Sequence, residues 1–312
     1  MKKIRLTSNW KCISDDNILV KTYENNFITN NNFNKNYTFT DKNDFDYLVI
    51  LNSCRDKSLE HYINKEKTIV YYLEPSWHPY IYENIINNLN IAKYVCYHDC
   101  NLLNIENNKS NIFTNISGFI PHWVTDFKKN INLDYFLNTN FSKIKKCSFI
   151  VSSKWISNKG LASRAKKSIY LKRLSLVKAI LQSNLDIDIY GKGLIDIFGY
   201  HKKIKGEIEH KLDALKDYQF SIAIENTPED GYFTEKLTDC ILTDTTPIYI
   251  GCPNIEDYFN NIHKISFKNA IPQIHQILNK NLILDQTENK KLFEYKYNFY
   301  TQIINLIENY NI

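Results

Sequence analysis

The sequence predicts an α/β protein built from two doubly wound domains that face each other across a cleft. The chain of 312 residues is long for one hydrophobic core and sufficient for two domains of about 150 residues each. Short apolar runs alternate with longer amphipathic segments, as in repeated strand-helix-strand units. The runs are apolar on both faces, which a parallel sheet covered by helices on both sides requires.

Each half of the chain contains five predicted strands, rich in β-branched and aromatic residues. In the first half they are KIRLT, DYLVILN, TIVYYLE, KYVCYH and NIFTNI, and in the second half CSFIVSS, LDIDIYG, FSIAIEN, TPIYIG and KISF. The segment 130–146 has no clear period and is the predicted linker. We therefore place an N-terminal domain at residues 1–140 and a C-terminal domain at residues 141–290.

Apolar residues recur with a helical period in two segments of the second half. One face is formed by Leu174, Val177, Ile180 and Leu181, and the other by Leu237, Cys240 and Ile241. Residues 291–312 also have a helical pattern, and we expect this last helix to pack back on the N-terminal domain.

The charge and cysteine content argue against several classes of protein. The formal net charge is only +5 and the lysines are scattered, which argues against nucleic-acid binding. No apolar stretch follows the first lysines, so we expect neither a signal peptide nor a transmembrane segment, and a cytoplasmic location. The seven cysteines indicate buried free thiols in a reducing compartment. Cys96, His98 and Cys100 are close in sequence, but no second pair of zinc ligands has a suitable spacing.

The segment ENTPEDGYFTEK, residues 225–236, lies between an apolar strand and a helix. It could be a solvated loop, because Pro, Gly, Asp and Asn are common in turns. It could instead bind a ligand, because open α/β sheets bind ligands at the carboxyl ends of their strands. The helix start offers N–H groups to an anion, and Lys236 adds a positive charge. Glu235 could accept from a diol, Gly231 permits an unusual backbone conformation, and Tyr232 offers a ring face. Together these features favour a sugar nucleotide.

The run YQFSIAIENTPEDGYFTEKLTDCILTDTTPIYIG, from Tyr218 to Gly251, resembles the signature of the α1,3/α1,4-fucosyltransferases, glycosyltransferase family 10. The family pattern has a Phe-rich strand, Glu-Asn, a short loop, Tyr-Val-Thr-Glu-Lys, and a strand that ends in Gly. Phe233 replaces the usual valine, a change that we expect to be harmless. The resemblance implies a GT-B type fold of two Rossmann-like domains and a GDP-fucose-dependent enzyme.

Weaker similarity extends over most of the chain. The segment RLSLVKAILQSNLDIDIYGKG is similar to the family's Arg-led helix and the strand that follows it, which implies that Arg173 binds the donor diphosphate. Arg164 is a competing assignment, because the region before Arg173 carries extra residues relative to the family. We prefer Arg173 because of its spacing from the strand end at Tyr190-Gly191.

A candidate general base lies in the first half, in YYLEPSWHPY. This segment resembles the one that carries the family's proposed base, which implies that role for Glu74, although Leu73 stands where glycine is usual. A strand-end carboxylate in solvent is the alternative interpretation. Asp99, at the end of KYVCYH, is the next candidate for the base.

The resemblance implies an inverting transfer of L-fucose from GDP-fucose to an acceptor glycan, commonly at position 3 or 4 of N-acetylglucosamine. Glu74 would take the acceptor proton, and Arg173 and Lys236 would stabilise charge on the departing GDP. The phosphates and the sugar or ribose hydroxyls would be held by Asn226, Tyr232 and Glu235. No cofactor and no metal ion is expected.

Three alternatives stay open. Asp186-Ile-Asp188 matches the Asp-x-Asp motif by which other glycosyltransferases hold Mn²⁺ or Mg²⁺. LDIDIYG alternates as a half-buried strand, however, so we interpret the match as a coincidence. The chain could also be a transferase of the same fold that uses another nucleotide sugar, or a noncatalytic carbohydrate-binding protein.

Overall fold

The computed structural model describes residues 1–8, 17–24, 36–54, 56–75, 81–88, 91–97, 112–114, 131–153 and 169–309. Two six-stranded sheets occupy this part of the chain. The first contains β1 (Lys2–Ser8), β2 (Tyr37–Thr40), β3 (Tyr47–Leu51), β4 (Thr68–Tyr72), β5 (Tyr94–Tyr97) and β6 (Ile112–Thr114). The second contains β7 (Lys145–Ile150), β8 (Asp188–Tyr190), β9 (Ile204–Gly206), β10 (Tyr218–Ile224), β11 (Thr246–Ile250) and β12 (His263–Lys264).

α-Helices lie between several of these strands and follow the last one. They are α1 (Asn17–Tyr23), α2 (Ile81–Asn88), α3 (Leu133–Asn138), α4 (Tyr170–Leu181), α5 (Leu194–Phe198), α6 (Glu235–Leu242), α7 (Ala270–Asn279), α8 (Thr287–Leu292) and α9 (Phe299–Asn309). A π-helical segment, Phe293–Tyr297, joins α8 to α9. Among the residues that the structure describes, none of these helices has the length and apolar character needed to cross a membrane.

The strand order confirms the predicted fold class. The neighbouring strands in both sheets pair in parallel. The second sheet has the order β9-β8-β7-β10-β11-β12, which is the Rossmann order, and its sequence direction reverses between β7 and β10. The first sheet has the order β2-β1-β3-β4-β5-β6 and reverses between β1 and β3. Each sheet therefore has a switch point, where this type of sheet binds its ligands.

Both faces of each sheet are buried, which explains why the sequences of the strands are continuous apolar runs. In the first sheet Val49 and Tyr71 contact one hydrophobic cluster, whereas Ile50 and Tyr72 contact another on the opposite face. The second sheet likewise has Tyr249 in one cluster and its neighbours on the strand in a different one. The alternation follows from the two-residue period of a strand.

Two strands were missed in the sequence, and both lie at sheet edges. β2 pairs with β1, and β9 pairs with β8 next to an irregularity in register. β2 has four residues and follows an Asn-rich stretch, and β9 has three and ends at Gly206, whose φ is +87°. Their sequences, YTFT and IKG, mix polar or glycine residues with apolar ones, so they form no apolar run that marks a strand.

The predicted linker, residues 130–146, contains regular structure. Asn132 caps α3 by accepting a hydrogen bond from the Tyr135 N–H, and Leu133 and Phe136 are buried. The ammonium of Lys290 donates to the Phe136 carbonyl at 2.8 Å. β7 then begins at Lys145, inside the segment. A six-residue helix is too short to show a clear period, which is why the sequence suggested an irregular segment.

The last helix packs on the first sheet, although it follows the second sheet in the chain. The Tyr300 hydroxyl donates to the Leu19 carbonyl of α1 at 2.7 Å. The ring of Phe299 lies 5.6 Å from that of Tyr71, and the ring of Tyr300 lies 5.0 Å from that of Phe39. The residues of α9 thereby join the same hydrophobic cluster as β1, β3, β4 and α6, so one core is shared by both sheets.

Candidate functional site

A cavity of about 360 Å³ lies at the switch point of the second sheet. Residues 149–152 at the end of β7 and 221–224 of β10 form its walls. Gly191 also lines it, with φ of +152°, and a Cβ atom there would approach the Val151 carbonyl oxygen to 1.5 Å. The charged residues around the cavity are Arg173, Lys211, Glu235, Lys236 and Asp239.

The segment 225–236 is not a solvated loop. Among its twelve residues only Pro228 and Asp230 are exposed, and the side chains of Glu225 and Tyr232 are 0% and 1% exposed. Gly231 has φ of +69°, as its predicted role requires, and its N–H donates to Asn254 Oδ1 at 2.9 Å. Burial of so many polar groups shows that this segment forms part of the protein interior beside the cavity.

Glu225 connects β10 to the start of α6. Its carboxylate accepts from the backbone N–H and from the hydroxyl of Thr234, both at 2.7 Å. Thr234 is in turn the N-cap of α6. A Cβ atom at Gly251 would lie 2.5 Å from Glu225 Cγ, which gives a physical reason for the glycine at the end of β11. Burial raises the pKa of Glu225, and the positive charge of Lys236 opposes that shift.

Arg173, Asn226 and Tyr232 form one hydrogen-bonded chain. Arg173 donates to Asn226 Oδ1 at 2.8 Å, and Asn226 Nδ2 donates to the Tyr232 hydroxyl at 3.3 Å. The N–H of Ile169 donates to the Asn226 carbonyl at 3.2 Å, which ties the start of α4 to the loop. Arg173 is 7% exposed, and its Nε makes no hydrogen bond. Burial lowers the pKa of Arg173, although nearby Glu225 opposes the shift.

Glu235 and Lys236 lie together in the first turn of α6. Lys236 Nζ is 3.3 Å from Glu235 Oε1 and 3.7 Å from Glu225 Oε2. Glu235 Oε1 also pairs with Lys211 Nζ at 3.0 Å. Burial alone would raise the pKa of Glu235, but Lys211 and Lys236 more than offset it, and the pKa lies below its usual range. Glu235 is therefore ionised, and Lys236 is already paired with carboxylates in this structure.

Glu74 follows β4 by two residues and belongs to the first sheet. Burial raises the pKa of Tyr232 well above its usual value, and the charges of Glu225 and Glu74 raise it further. The charge of Glu74, after β4 of the first sheet, thus reaches Tyr232, after β10 of the second. A hydrogen bond also joins the two halves of the chain, because the Tyr97 hydroxyl donates to Glu229 Oε2 at 3.5 Å. The two halves of the chain thus meet at the loop 225–234.

Several predicted residues cannot be placed at this site. Arg164, Asp99, His98 and Cys100 lie outside the described residues. Asp186 and Asp188 alternate with buried residues as predicted. Asp188 begins β8, accepts from the Tyr218 hydroxyl at 2.8 Å and pairs with Lys205 Nζ at 3.1 Å. Within the described part of the chain, no group of three or more His, Cys, Asp or Glu side chains is arranged to hold a metal ion.

Sequence reasoning missed two charged residues of the site, Lys211 and Asp239. Asp239 is four residues after Glu235 on α6, so helical spacing places both on one face and could have identified it. Lys211 lies in a short 3₁₀-helix, Lys211–Ala214, that contacts the site through tertiary structure only. No local pattern in the sequence marks it.

Asp239 provides a test of this charge cluster through the pH dependence of stability. It is 1% exposed, and burial raises its pKa from 3.8 to about 7, against the opposing charge of Lys211. Between about pH 4 and pH 7 the folded protein thus holds a proton that the unfolded chain has released, so the free energy of unfolding falls as the pH rises. One such proton makes the free energy of unfolding fall by up to about 1.4 kcal/mol per pH unit, and Asp239→Asn should lose this slope.

Urea unfolding of the parent and Asp239→Asn at pH 5, 6 and 7 measures this difference. Asp213→Asn is the matched control, because Asp213 is an exposed carboxylate that also pairs with a lysine. Its unfolding free energy should follow the pH dependence of the parent. Identical slopes for the parent and Asp239→Asn would show that Asp239 is ionised throughout the range.

Comparison with known proteins adds an independent finding. A family model described as glycosyltransferase family 10 (fucosyltransferase) C-term matches residues 142–308. A putative fucosyltransferase-like protein of Arabidopsis thaliana is 38% identical over 86 residues, which are 28% of this chain and 15% of that protein. Alpha-(1,3)-fucosyltransferase FucT of Helicobacter pylori is 35% identical over 102 residues, which are 30% of this chain and 20% of that protein.

These similarities cover only part of the relatives, since the chain matches 15% and 20% of the lengths of the two proteins. Among solved structures, a crystal structure of an alpha1,3-fucosyltransferase with GDP aligns over 95% of this chain and 82% of that chain. The two are 17% identical, and the TM-score is 0.48.

Proposed function

The chain belongs to glycosyltransferase family 10, the fucosyltransferases, and on this basis we propose that it transfers L-fucose from GDP-fucose to a hydroxyl group of a glycan acceptor. The observation that carries the proposal is the cavity at the switch point of the second sheet, with Arg173 and Lys236 on its lining. A nucleotide diphosphate is the ligand that such a site accommodates, because the doubly wound fold binds nucleotides there and cations stabilise the phosphates.

We propose that residues 141–290 bind the donor and residues 1–140 the acceptor. Arg173 has a guanidinium nitrogen without a hydrogen bond and lies beside Asn226, so it can donate to a phosphate oxygen without breaking its present contact. Tyr232 and Asn226 would orient the phosphates and the fucose. These groups are preorganised by burial, which makes their interactions with a developing charge stronger than in water.

The reaction moves one proton and one glycosyl group. The acceptor hydroxyl loses its proton to the Glu74 carboxylate as its oxygen attacks the anomeric carbon of fucose. The bond between that carbon and the diphosphate breaks on the opposite side, and the electron pair leaves with GDP. Arg173 and Lys236 stabilise the charge that develops on the diphosphate. Attack opposite the leaving group inverts the configuration at the anomeric carbon.

We propose that no metal ion and no cofactor takes part, because Arg173 and Lys236 supply positive charge at the diphosphate. The position of the Asp-x-Asp motif supports the absence of a metal. Asp188 lies at the start of β8 and binds Tyr218 and Lys205, whereas the cavity lies at the carboxyl ends of the strands. Transfer that persists in EDTA supports the proposal, and transfer abolished by EDTA and restored by Mn²⁺ contradicts it.

Lys236→Ala should weaken GDP binding by about 1.5 to 3 kcal/mol, the usual contribution of a charged hydrogen bond, or roughly 10- to 150-fold in the dissociation constant. In the structure Lys236 pairs with Glu225 and Glu235 and is partly exposed at the cavity, so a phosphate can join this ion pair. Isothermal titration with GDP, UDP and dTDP measures both the effect and the choice of base.

Lys291→Ala is the control for the titration, because Lys291 pairs with Glu288 on the exposed face of α8. This variant should bind GDP as the parent does. Equal GDP affinity in Lys236→Ala and the parent would remove Lys236 from the phosphate site. Tighter binding of UDP or dTDP than of GDP would contradict GDP-fucose as the donor.

A further inference from the structure

Lys211 contributes a third cation to the lining of the cavity, although no motif contains it. Its Nζ lies 3.0 Å from Glu235 Oε1 and 3.3 Å from Asp239 Oδ2. It belongs to the 3₁₀-helix Lys211–Ala214, outside the segment 225–236 and before β10. One ammonium group therefore joins two carboxylates of α6 to a different part of the fold.

The arrangement fixes Glu235 from two sides. Glu235 and Asp239 are one helical turn apart, so their negative charges would repel each other without a cation between them. Lys211 occupies that place, and Lys236 contacts the same Glu235 oxygen at 3.3 Å. Asp239 is almost completely buried, and its carboxylate meets Lys211 away from the solvent. These two ion pairs consequently hold the Glu235 side chain in one rotamer.

We propose that Lys211 is a positioning residue of the donor site, which holds Glu235 in the orientation that binds ligand hydroxyls, with Asp239 as its anchor. The inference rests on the proposed function, in which Glu235 accepts hydrogen bonds from the sugar or ribose of the donor. Lys211 acts through Glu235 and need not touch the donor itself.

Removing Lys211 alone would leave the buried carboxyl group of Asp239 without its partner, and a buried polar group without a partner is destabilising. The test therefore uses the double variant Lys211→Met/Asp239→Leu, which replaces both charges by apolar side chains of similar size. Such replacements often preserve stability. Glu235 and Lys236 are unchanged in this variant, and Asp239→Asn, which keeps Lys211, separates the effect of losing the Asp239 charge from the effect of losing the contact to Lys211.

The measurement is the KM for GDP-fucose with the kcat of transfer, together with two affinity ratios from titration: GDP over 2′-deoxy-GDP, and GDP-fucose over GDP. The double variant should show a KM for GDP-fucose at least about fivefold higher than the parent, with a smaller change in kcat. At least one of the two affinity ratios should fall toward one. The reason is that a hydrogen bond from a ligand hydroxyl to a charged acceptor contributes roughly tenfold or more to affinity. Lys211→Arg retains the charge and should restore most of the affinity.

Lys216→Met is the matched control, because Lys216 pairs with Asp213 in the same region but on the surface. It should leave the KM and both ratios as in the parent. Lys211→Gln provides a second variant if the double variant unfolds, since an affinity ratio is measured on the folded fraction only. Parent-like KM and ratios in the folded Lys211 variants would overturn the inference and leave the proposed function intact. A parent that binds no GDP would overturn both.

Discussion

Glu74→Gln should lower fucosyl transfer by roughly a hundredfold or more and leave GDP affinity unchanged. Glutamine keeps the shape of the side chain but cannot accept the proton of the acceptor hydroxyl. Glu74 follows β4 of the first sheet and is not among the residues that line the donor cavity, so the substitution leaves the cations of the cavity in place. The kcat of transfer from GDP-fucose and the dissociation constant of GDP measure the two effects separately.

Glu66→Gln is the control for this substitution. Glu66 is exposed and lies before β4, whereas Glu74 lies after its other end, so both variants lose one carboxylate next to the same strand. Glu66→Gln should retain the turnover of the parent. Near-parent turnover in Glu74→Gln would assign the proton to another carboxylate, and Asp99 would be the next to be replaced.

Arg173→Met should lower the kcat of transfer by about 100- to 1000-fold, the range observed when one donor to a developing negative charge is removed. The Arg173 side chain is buried at the cavity and already oriented by Asn226, so its positive charge can stabilise the diphosphate without a further loss of side-chain entropy. Arg173→Lys keeps the charge but loses the planar fork, and we expect an intermediate loss. Steady-state kinetics with GDP-fucose and titration with GDP measure the change.

Lys172→Met is the control for Arg173, because the neighbouring Lys172 is exposed and its ammonium lies over the Phe267 ring instead of the cavity. It should have the activity of the parent. If Arg173→Met turns over like the parent, the diphosphate must be held by another cation, and Arg164 is the alternative that the sequence already suggested.

The sequence predicted the fold well wherever strands are buried on both faces. β3, β4 and β10 are continuous apolar runs, and each lies inside a sheet that packs on both sides. β2 and β9 were missed because these short edge strands, YTFT and IKG, mix polar or glycine residues with apolar ones and form no apolar run. Helix α3 was missed for a related reason, since its stability depends on the Asn132 cap and on two buried side chains rather than on a long amphipathic period.

The site was predictable where it is continuous in sequence. The loop and the first turn of α6 supply Asn226, Tyr232, Glu235 and Lys236 within eleven residues, and Arg173 joins them through the hydrogen bond to Asn226. Lys211 was not predictable, because only the packing of the segment before β10 against α6 brings it to Glu235. The sequence also could not show that Lys236 is paired with two carboxylates. That pairing depends on tertiary structure, which places the Glu225 carboxylate at the start of α6.

The most direct test of the proposed activity is to incubate the chain with GDP-fucose in EDTA and a panel of acceptors, N-acetylglucosamine, N-acetyllactosamine and lactose, and to follow GDP release and glycan mass. We predict that at least one acceptor gains one fucose for each GDP released, and that Glu74→Gln forms this product at least roughly a hundredfold more slowly. The account is contradicted if GDP-fucose is neither bound nor consumed while a UDP- or dTDP-linked sugar is transferred to any acceptor of the panel.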